Sequence, residues 1–439
     1  MSQTQLLNGF TLNPQDYPQW RQINGLYFDP LHWNDNDEDA LNIAARTRDA
    51  VIQQKRSPSL GSQQNVLLLH AAKQKYALAT QDIPKRGTEN EVLIRILAIG
   101  LNPIDWKAPA FGFGLASLPC INGRDFAGVV VQAPKSSSRI KTGDVVLSAS
   151  TDYRDYRKSA FQEYSISNDF NCCRIPSHVS PNNAAAQGVA FVTATLALGV
   201  CFGVDFSKAS SDVQGPDLLS IARALKEEVV PEDVREECFH SISLDDRPKR
   251  GDWLAIWGAS SATGFIALQL AKFAGLKVVC IVDAEKHGAR LVNAGADLLV
   301  DRINIDRAIS IVRAVTGGRL RFGLDTVGKE TATSLQSVFG NNSPEPTAQA
   351  HIVGLTGLPK ERLPGIAYHN VPIKLFHTIP EIGEAVVTWM EELLNSRDFV
   401  LQETVTADGG LGGVNDALEV LRSGARSGTR IVVPLQNDR

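Results

Sequence analysis

The stretch that most constrains the fold of this chain runs from residue 253 to 274 and reads WLAIWGASSATGFIALQLAKFA. A short apolar run with the length of a buried strand is followed by small residues, and then by apolar residues at helical spacing. A strand, a tight turn and a helix in this order place a pyrophosphate group on a helix N-terminus. We therefore predict that a nucleotide cofactor is bound by the residues of the turn, which are Gly258, Ala259, Ser260, Ser261, Ala262, Thr263 and Gly264.

The turn alone is a weak signal, because the strict G-x-G-x-x-G pattern is absent and an ordinary strand-to-helix turn is the alternative. The residues that follow favour the cofactor, since apolar runs at 277–282, 297–301, 322–327 and 351–355 alternate with helical patterns. This alternation predicts an α/β fold with a Rossmann doubly wound parallel sheet, whose ligands lie at the carboxyl ends of the strands. Gly354 and Leu355, at the end of the last of these runs, are predicted to bind the cofactor as well.

Composition excludes several other classes of protein. The 439 residues are enough for two or three domains, and 43% hydrophobic and 21% charged residues are typical of a globular protein. A net charge of −4 argues against a general nucleic-acid partner. No apolar run is long enough for a membrane span or a secretory signal. The six cysteines show neither a disulfide pattern nor C-x-x-C spacing, so we expect a cytoplasmic location.

From residue 64 the chain becomes rich in strand patterns, at 66–70, 91–99, 128–132 and 144–148. They predict a small barrel of antiparallel strands, and a last strand at 430–434 is predicted to return to it. The predicted domains are a barrel at 61–180 that is completed by 386–439, and a cofactor-binding domain at 181–385.

Two segments depart from this layout. Residues 1–60 are polar but contain aromatic side chains and a pattern for a helix at 40–55, and we interpret them as an N-terminal extension. This extension could serve as a lid, as an oligomer contact, or as an addition without a function of its own. Residues 207–250 are charged and precede the cofactor strand. We interpret them as a surface insertion, with a substrate lid or a partner-docking element as the alternative.

Several motifs follow one another in a specific order: EVLIR at 91–95, GLNPID at 100–105, GRDFAG at 123–128, KTGDVV at 141–146, and then the small-residue turn. In this order and spacing the chain resembles the medium-chain dehydrogenase/reductase superfamily over residues 64–435. The resemblance implies a discontinuous GroES-like β-barrel catalytic domain beside a Rossmann domain that binds a nicotinamide cofactor.

The resemblance also bears on metal binding. Zinc-dependent alcohol dehydrogenases of that superfamily have a cysteine where this chain has Asn102, and a histidine and a glutamate at the positions of Arg124 and Asp125. Their third ligand would fall near Gly188 or Val189, which cannot bind metal. A guanidinium offers zinc no lone pair and an amide is a poor ligand. We therefore predict no metal, and we place Asn102 among the cofactor-binding residues.

Among zinc-free members, NPIDWK at 102–107 looks most like the N-P-x-D-x-K run of fungal stand-alone enoyl reductases, which act in trans with polyketide synthases. The resemblance implies hydride transfer to the β-carbon of an α,β-unsaturated carbonyl compound, with negative charge developing on the carbonyl oxygen. Lys107 is the candidate donor to that oxygen, and a plain surface lysine is the alternative. Thr193 matches a threonine that contacts the nicotinamide in relatives, and the alternative is a hydroxyl bonded to its own helix backbone.

Other polar residues carry weaker signals. Asp105 and Asp125 are interpreted as side chains that hold the barrel loops together. Tyr153 and Tyr164 could donate a proton, but nothing in the sequence singles them out.

The choice between NADPH and NADH depends on the residues after the second strand. Asp283 could accept a hydrogen bond from a ribose 2′-hydroxyl, whereas Lys286, His287 and Arg290 could bind a 2′-phosphate. The family resemblance favours NADPH. We predict an NADPH-dependent enoyl reductase of secondary metabolism, monomeric or homodimeric, acting on a small-molecule or carrier-bound substrate with a polyketide synthase as partner. A quinone or enone reductase and a non-catalytic binding protein on the same fold are the alternatives.

Overall fold

The computed structural model divides the chain into two compact units, residues 1–60 and 61–439. It describes residues 61–209, 212–339, 349–396 and 398–435, and in the first unit only the backbone of short strands. These strands form two antiparallel pairs, β1 (Gln5–Leu7) with β2 (Phe10–Leu12) and β3 (Arg21–Ile23) with β4 (Leu26–Phe28). The helix predicted at 40–55 lies outside the described residues.

The second unit begins with the strands of the catalytic barrel. In chain order they are β5 (Gln63–Leu69), β6 (Ala77–Asp82), β7 (Glu91–Gly100), β8 (Cys120–Ile121), β9 (Asp125–Gln132), β10 (Val145–Ala149), β11 (Tyr164–Asn168) and β12 (Cys172–Arg174). β7 is the centre of the barrel, because it pairs antiparallel with both β9 and β11. β5 pairs with β6 and β8 in a second, smaller sheet.

Within the barrel, α1 (Pro103–Phe111) follows β7. The helices α2 (Pro181–Ala185) and α3 (Gly188–Leu196) lead from the barrel into the nucleotide half, and a π turn (Ala197–Cys201) extends α3. α3 is buried on nearly every side, and its small residues Ala190 and Ala194 lie in the main hydrophobic core. Short side chains allow the neighbouring helix and strands to approach its backbone closely.

The segment 207–250 is not the surface insertion that the sequence favoured. Its two helices, α4 (Leu218–Ala224) and α5 (Arg235–Phe239), place Leu218, Leu219 and Cys238 fully buried in the same core as α3. The segment is therefore part of the packing of the nucleotide half.

The parallel sheet confirms the predicted α/β Rossmann fold. Its strands are β13 (Trp253–Trp257), β14 (Lys277–Val282), β15 (Leu298–Asp301), β16 (Leu320–Asp325), β17 (Ala350–Gly354) and β18 (Ile366–His369), and the helices between them are α6 (Ala262–Phe273), α7 (Ala284–Asn293), α8 (Ile305–Thr316) and α9 (Lys329–Gln336). The order across the sheet is β15-β14-β13-β16-β17-β18, with all neighbours parallel. β13 is buried throughout and supplies alternate residues to the cores on the two faces of the sheet.

The chain then returns to the barrel. The elements are α10 (Lys374–Thr378), α11 (Pro380–Ser396), β19 (Thr404–Thr406), α12 (Gly410–Arg422) and β20 (Arg430–Pro434). β20 pairs antiparallel with β7, which confirms the discontinuous barrel. The barrel is not wholly antiparallel, because β19 pairs parallel with β20. The predicted division between residues 385 and 386 falls inside α11, so a single helix spans it.

Two expectations from composition bear on the described residues. All six cysteines are buried and unpaired. No helix in the described part of the chain is long and apolar enough to cross a membrane.

Candidate active site

The predicted phosphate-binding turn joins β13 to α6 and is held in place by side chains. Ser261 caps α6, and its Oγ accepts a hydrogen bond from the Gly264 amide at 3.1 Å. The Ser261 hydroxyl donates to Thr326 Oγ1 at 2.9 Å, and Thr326 Oγ1 donates to the Gly258 carbonyl at 2.9 Å. Thr326, which follows the adjacent strand β16, therefore fixes the shape of the turn.

Two features of the turn fit a nucleotide phosphate. A Cβ atom on Gly264 would lie 2.6 Å from the Gly258 carbonyl oxygen and 2.8 Å from the Ala259 Cα, so only glycine allows this close packing. The N–H groups of Ala262 and Thr263 open α6 and have no acceptor among the described residues. Unpaired amides at a helix N-terminus bind anions.

Two other residues predicted to bind the cofactor, Gly354 and Leu355, lie at the same edge of the sheet as this turn. Gly354 ends β17 and is paired with Asp325 at the end of β16, which is paired in turn with Trp257. The Leu355 amide donates to the Asp325 carbonyl at 2.9 Å. The carboxyl ends of these neighbouring strands form the edge where ligands of such sheets lie.

Asp325, at the carboxyl end of β16, is not among the predicted site residues. Its Oδ1 accepts from the Val327 and Gly328 amides at 3.0 and 2.8 Å, whereas its buried Oδ2 has no partner in the described residues. Burial raises the pKa of Asp325. The sequence FGLDTV at 322–327 predicts a strand, and nothing in it marks Asp325 as a functional residue.

The residues after β14 differ in whether their side chains are already bound by other residues of the chain. Asp283 caps α7 by accepting the Lys286 amide at 3.1 Å, and the Lys286 side chain is exposed. His287 and Arg290 are not available for a 2′-phosphate, which corrects the alternative raised from the sequence. His287 Nε2 lies 2.9 Å from Ser427 Oγ, while Arg290 donates to the Gly428 carbonyl.

A buried polar cluster occupies the positions that correspond to zinc ligands in the resemblance. Asn102 Nδ2 donates to Asp125 Oδ2 at 2.9 Å, and Arg430 Nη2 donates to both Asn102 Oδ1 and Asp125 Oδ2 at 3.0 and 3.2 Å. The Val189 amide donates to Asp125 Oδ1 at 2.7 Å. Burial raises the pKa of Asp125, and Arg430 and Asn102 oppose that shift. No cluster of three or more metal-ligating His, Cys, Asp or Glu side chains occurs among the described residues.

This cluster uses both polar atoms of the Asn102 side chain. The amide group is committed to Asp125 and Arg430, so the predicted contact of Asn102 with the cofactor would have to compete with these bonds. Arg430 was not singled out from the sequence, because its partners are far away in the chain.

Lys107 and Thr193 both keep their functional groups unpaired. Lys107 is half-buried on α1, with its Nζ 5.8 Å from the centre of the Trp106 ring, and it has no hydrogen bond or ion pair with a described residue. Thr193 is the half-exposed polar residue of α3, and its hydroxyl makes no hydrogen bond to the described helix backbone. The alternative of a backbone-bonded threonine is therefore not what the structure shows.

Asp105 lies on the same helix as Lys107 and is completely enclosed. Its Oδ2 accepts from the Asn102 amide at 2.7 Å, and Oδ1 has no partner among the described residues. Burial raises the pKa of this carboxyl to about 7. Asp105 thus closes the first turn of α1.

Several known proteins are similar to this chain in sequence. Residues 88–188 match the alcohol dehydrogenase GroES-like domain. The trans-enoyl reductase BOA5 of Botryotinia fuckeliana is 25% identical over 80% of this chain and 95% of its own length. In these comparisons the chain is similar to the medium-chain dehydrogenase/reductase superfamily.

Solved structures of this superfamily share the fold. A quinone oxidoreductase from Pseudomonas syringae superposes with a TM-score of 0.61 over 84% of this chain and 99% of its own, at 17% identity. The CurK enoyl reductase superposes with a TM-score of 0.60 over 86% and 100% of the two chains, at 14% identity. The superfamily assignment and the sequence relatives support an oxidoreductase that uses a nicotinamide cofactor.

Proposed function

We propose that this protein is a zinc-independent, NADPH-dependent enoyl reductase that acts on an α,β-unsaturated thioester. The cluster of Asn102, Asp125 and Arg430 carries the proposal, because a guanidinium is hydrogen-bonded where zinc-dependent relatives have their ligands. Likeness to trans-enoyl reductases supports the substrate class and a polyketide synthase as partner.

The residues of the chain have separable roles in this proposal. A bound NADPH supplies the hydride. The amides of Ala262 and Thr263 bind its pyrophosphate, and Gly264 allows the backbone to approach it. The Thr193 hydroxyl faces the nicotinamide from α3. Lys107 donates to the carbonyl oxygen of the substrate, where negative charge develops as the β-carbon accepts the hydride.

Replacement of Lys107 by alanine tests the donor. We expect kcat with NADPH and crotonyl thioester to fall by about 10²–10³-fold, the usual cost of losing one donor to a developing oxyanion. The NADPH dissociation constant should stay within about twofold, because Lys107 does not touch the turn. Lys135→Ala is the control, since Lys135 is an exposed barrel lysine paired with Glu89. An unchanged kcat in Lys107→Ala would show that Lys107 is a plain surface lysine and not a donor to the substrate.

Lys286 is expected to decide the choice of nucleotide. It is exposed in the first turn of α7, just beyond the carboxyl end of β14. Burial lowers the pKa of the adjacent His287, and the charges of Lys286 and Arg302 act in the same direction, whereas Asp283 opposes them. Lys286→Ala should weaken NADPH binding by about tenfold and leave NADH binding unchanged.

Fluorescence titration with the two nucleotides measures this effect. Lys277→Ala is the matched control, because Lys277 is exposed at the amino end of the same strand. NADH binding as tight as that of NADPH in the unaltered protein would contradict the NADPH assignment.

The quinone or enone reductase is the second candidate, supported by the unpaired Lys107, which could serve any conjugated carbonyl. Steady-state assays with crotonyl thioester and simple quinones separate the two. A higher kcat/KM for quinones would replace the enoyl assignment, and NADPH binding without turnover of either substrate would favour a non-catalytic protein.

A further inference from the structure

Arg124 is a buried cation in the barrel to which the proposed function gives no role. The residue is 3% exposed, and its guanidinium lies 4.0 Å over the centre of the Tyr153 ring. Its one hydrogen bond to a described residue runs from Nη2 to Asn122 Oδ1 at 3.2 Å. Nε and Nη1 have no acceptor among the described residues, yet neither atom is fully enclosed by protein.

The backbone on both sides of this guanidinium is fixed. Gly123 has a φ of +85°, and a Cβ there would lie 2.3 Å from the Phe161 ring. The Gly123 carbonyl accepts from the Ala160 amide at 3.0 Å, and the Arg124 carbonyl accepts from the Ser150 amide at 2.7 Å. The direction in which the Arg124 side chain leaves the backbone is therefore set by two loops, and stacking on Tyr153 holds its far end.

Arg124 makes no salt bridge with a described residue, although the buried Asp105 is close enough for their charges to interact. The nearby Asp125 binds Arg430 instead, and Asp105 directs Oδ2 to the Asn102 amide. Burial lowers the pKa of Arg124, but a guanidinium stays protonated in proteins. A buried cation with no carboxylate in direct contact is costly, so this position is suited to receive negative charge from outside the chain.

Arg124 is also connected to the two helices that carry the groups assigned to the reaction. Its neighbour Asp125 binds the first turn of α3, the helix that carries Thr193. On the other side, Asp105 belongs to the helix of Lys107 and is close enough to Arg124 for their charges to interact. Arg124 is therefore next in sequence to a residue that binds α3 and interacts electrostatically with a residue of α1, the two elements that we expect to flank the nicotinamide and the substrate.

We propose that Arg124, stacked on Tyr153, is a catalytic residue that binds the carbonyl oxygen of the conjugated substrate. The proposal rests on the proposed function and adds a second donor beside Lys107. When the β-carbon accepts the hydride, the π electrons of the double bond shift toward the carbonyl and its oxygen becomes negative. Arg124 donates N–H hydrogen bonds to that oxygen and keeps its proton. The carbonyl re-forms as the α-carbon takes a proton from water, and Tyr153 acts as a positioning residue.

The test uses the full chain with NADPH and crotonyl thioester. Arg124→Met is expected to lower kcat by about 10²–10³-fold with the NADPH dissociation constant unchanged. Arg154→Met, in the same loop as Tyr153 but exposed, is the control and should be fully active. Tyr153→Phe keeps the ring under the guanidinium and should retain most activity, whereas Tyr153→Leu should lose about tenfold.

Chemical rescue separates catalysis from folding. In Arg124→Ala, guanidinium ions added at non-denaturing concentration should restore part of kcat in a saturable manner. If Arg124→Met does not fold, Arg124→Lys keeps the charge without the planar fork and should fold with reduced kcat.

Each remaining outcome overturns the proposal. Full activity of Arg124→Met or Arg124→Lys would show that the guanidinium is not needed. Loss of NADPH binding in parallel with kcat, without rescue by guanidinium, would make the role structural. Unaltered protein that binds NADPH but reduces no thioester would instead refute the proposed function itself, before any variant is made.

Discussion

Replacing Arg430 by methionine is expected to lower the free energy of unfolding by about 3–5 kcal/mol at neutral pH, the usual cost of breaking a buried ion pair from one side. Arg430 is 7% exposed and donates to Asp125, which is completely buried. Without the guanidinium, Asp125 keeps a buried charge that only amides solvate. Urea denaturation measures the loss, and Arg422→Met is the control, because Arg422 is 55% exposed, with Glu419 as its ion-pair partner and the Trp106 ring 5.6 Å away.

The loss should depend on pH. Arg430 lowers the pKa of Asp125 against the effect of burial, so the variant has a still higher Asp125 pKa in the folded state. A carboxyl whose folded pKa exceeds its unfolded pKa binds more protons when folded, so its folded state gains stability as pH falls between the two values. The deficit of Arg430→Met relative to the unaltered protein should therefore shrink toward acid pH.

A second variant checks the cause. Asp125→Asn in the Arg430→Met background removes the buried charge and should restore part of the stability at neutral pH. A deficit below about 1 kcal/mol, or one that does not change with pH, would mean that the cluster relaxes or admits water when Arg430 is removed.

Gly264→Ala is expected to weaken NADPH binding by about 5- to 150-fold. The added Cβ would meet backbone atoms of Gly258 and Ala259, at 2.6 and 2.8 Å, and backbone in this turn cannot rotate away as a side chain would. Overpacking of this kind costs about 1–3 kcal/mol. Because the strain distorts the turn that binds the phosphates, we expect this cost to appear as weaker NADPH binding. Fluorescence titration with NADPH measures the change.

Gly412→Ala is a matched control, since Gly412 lies in α12 and a Cβ added there would have no atom within 4 Å. This substitution should leave NADPH binding unchanged. Binding by Gly264→Ala that equals the unaltered protein would show that α6 can move away from β13 without cost, contrary to the packing that we describe.

The nucleotide half was largely predictable because its signals are local. Buried parallel strands are continuous apolar runs, and the phosphate turn is a contiguous stretch between one such run and a helix. β18 was missed because it is an edge strand with half-buried residues at 366–368 and no apolar run. β6 was missed for the same reason, since five of its six residues are exposed.

The polar site was less predictable because its bonds join distant residues. Arg430 and Asp125 are separated by 305 positions, and no pattern near either residue announces the other. Arg290 shows the converse error: its sequence neighbours suggested a phosphate ligand, whereas its guanidinium is bound to Gly428, 138 positions away. The one signal in the sequence was that Arg430 is a single charged residue at the start of the apolar strand β20.

The position of β20 has a consequence for how the protein is made. β20 lies in the barrel sheet between β7 and β19, yet it is translated only after the whole parallel sheet. Until then the end of β7 at residues 98–100 lacks one strand partner, and open strand edges favour aggregation. We expect nascent chains stalled on the ribosome before residue 430 to recruit chaperones to the early barrel, even where the nucleotide half has already formed.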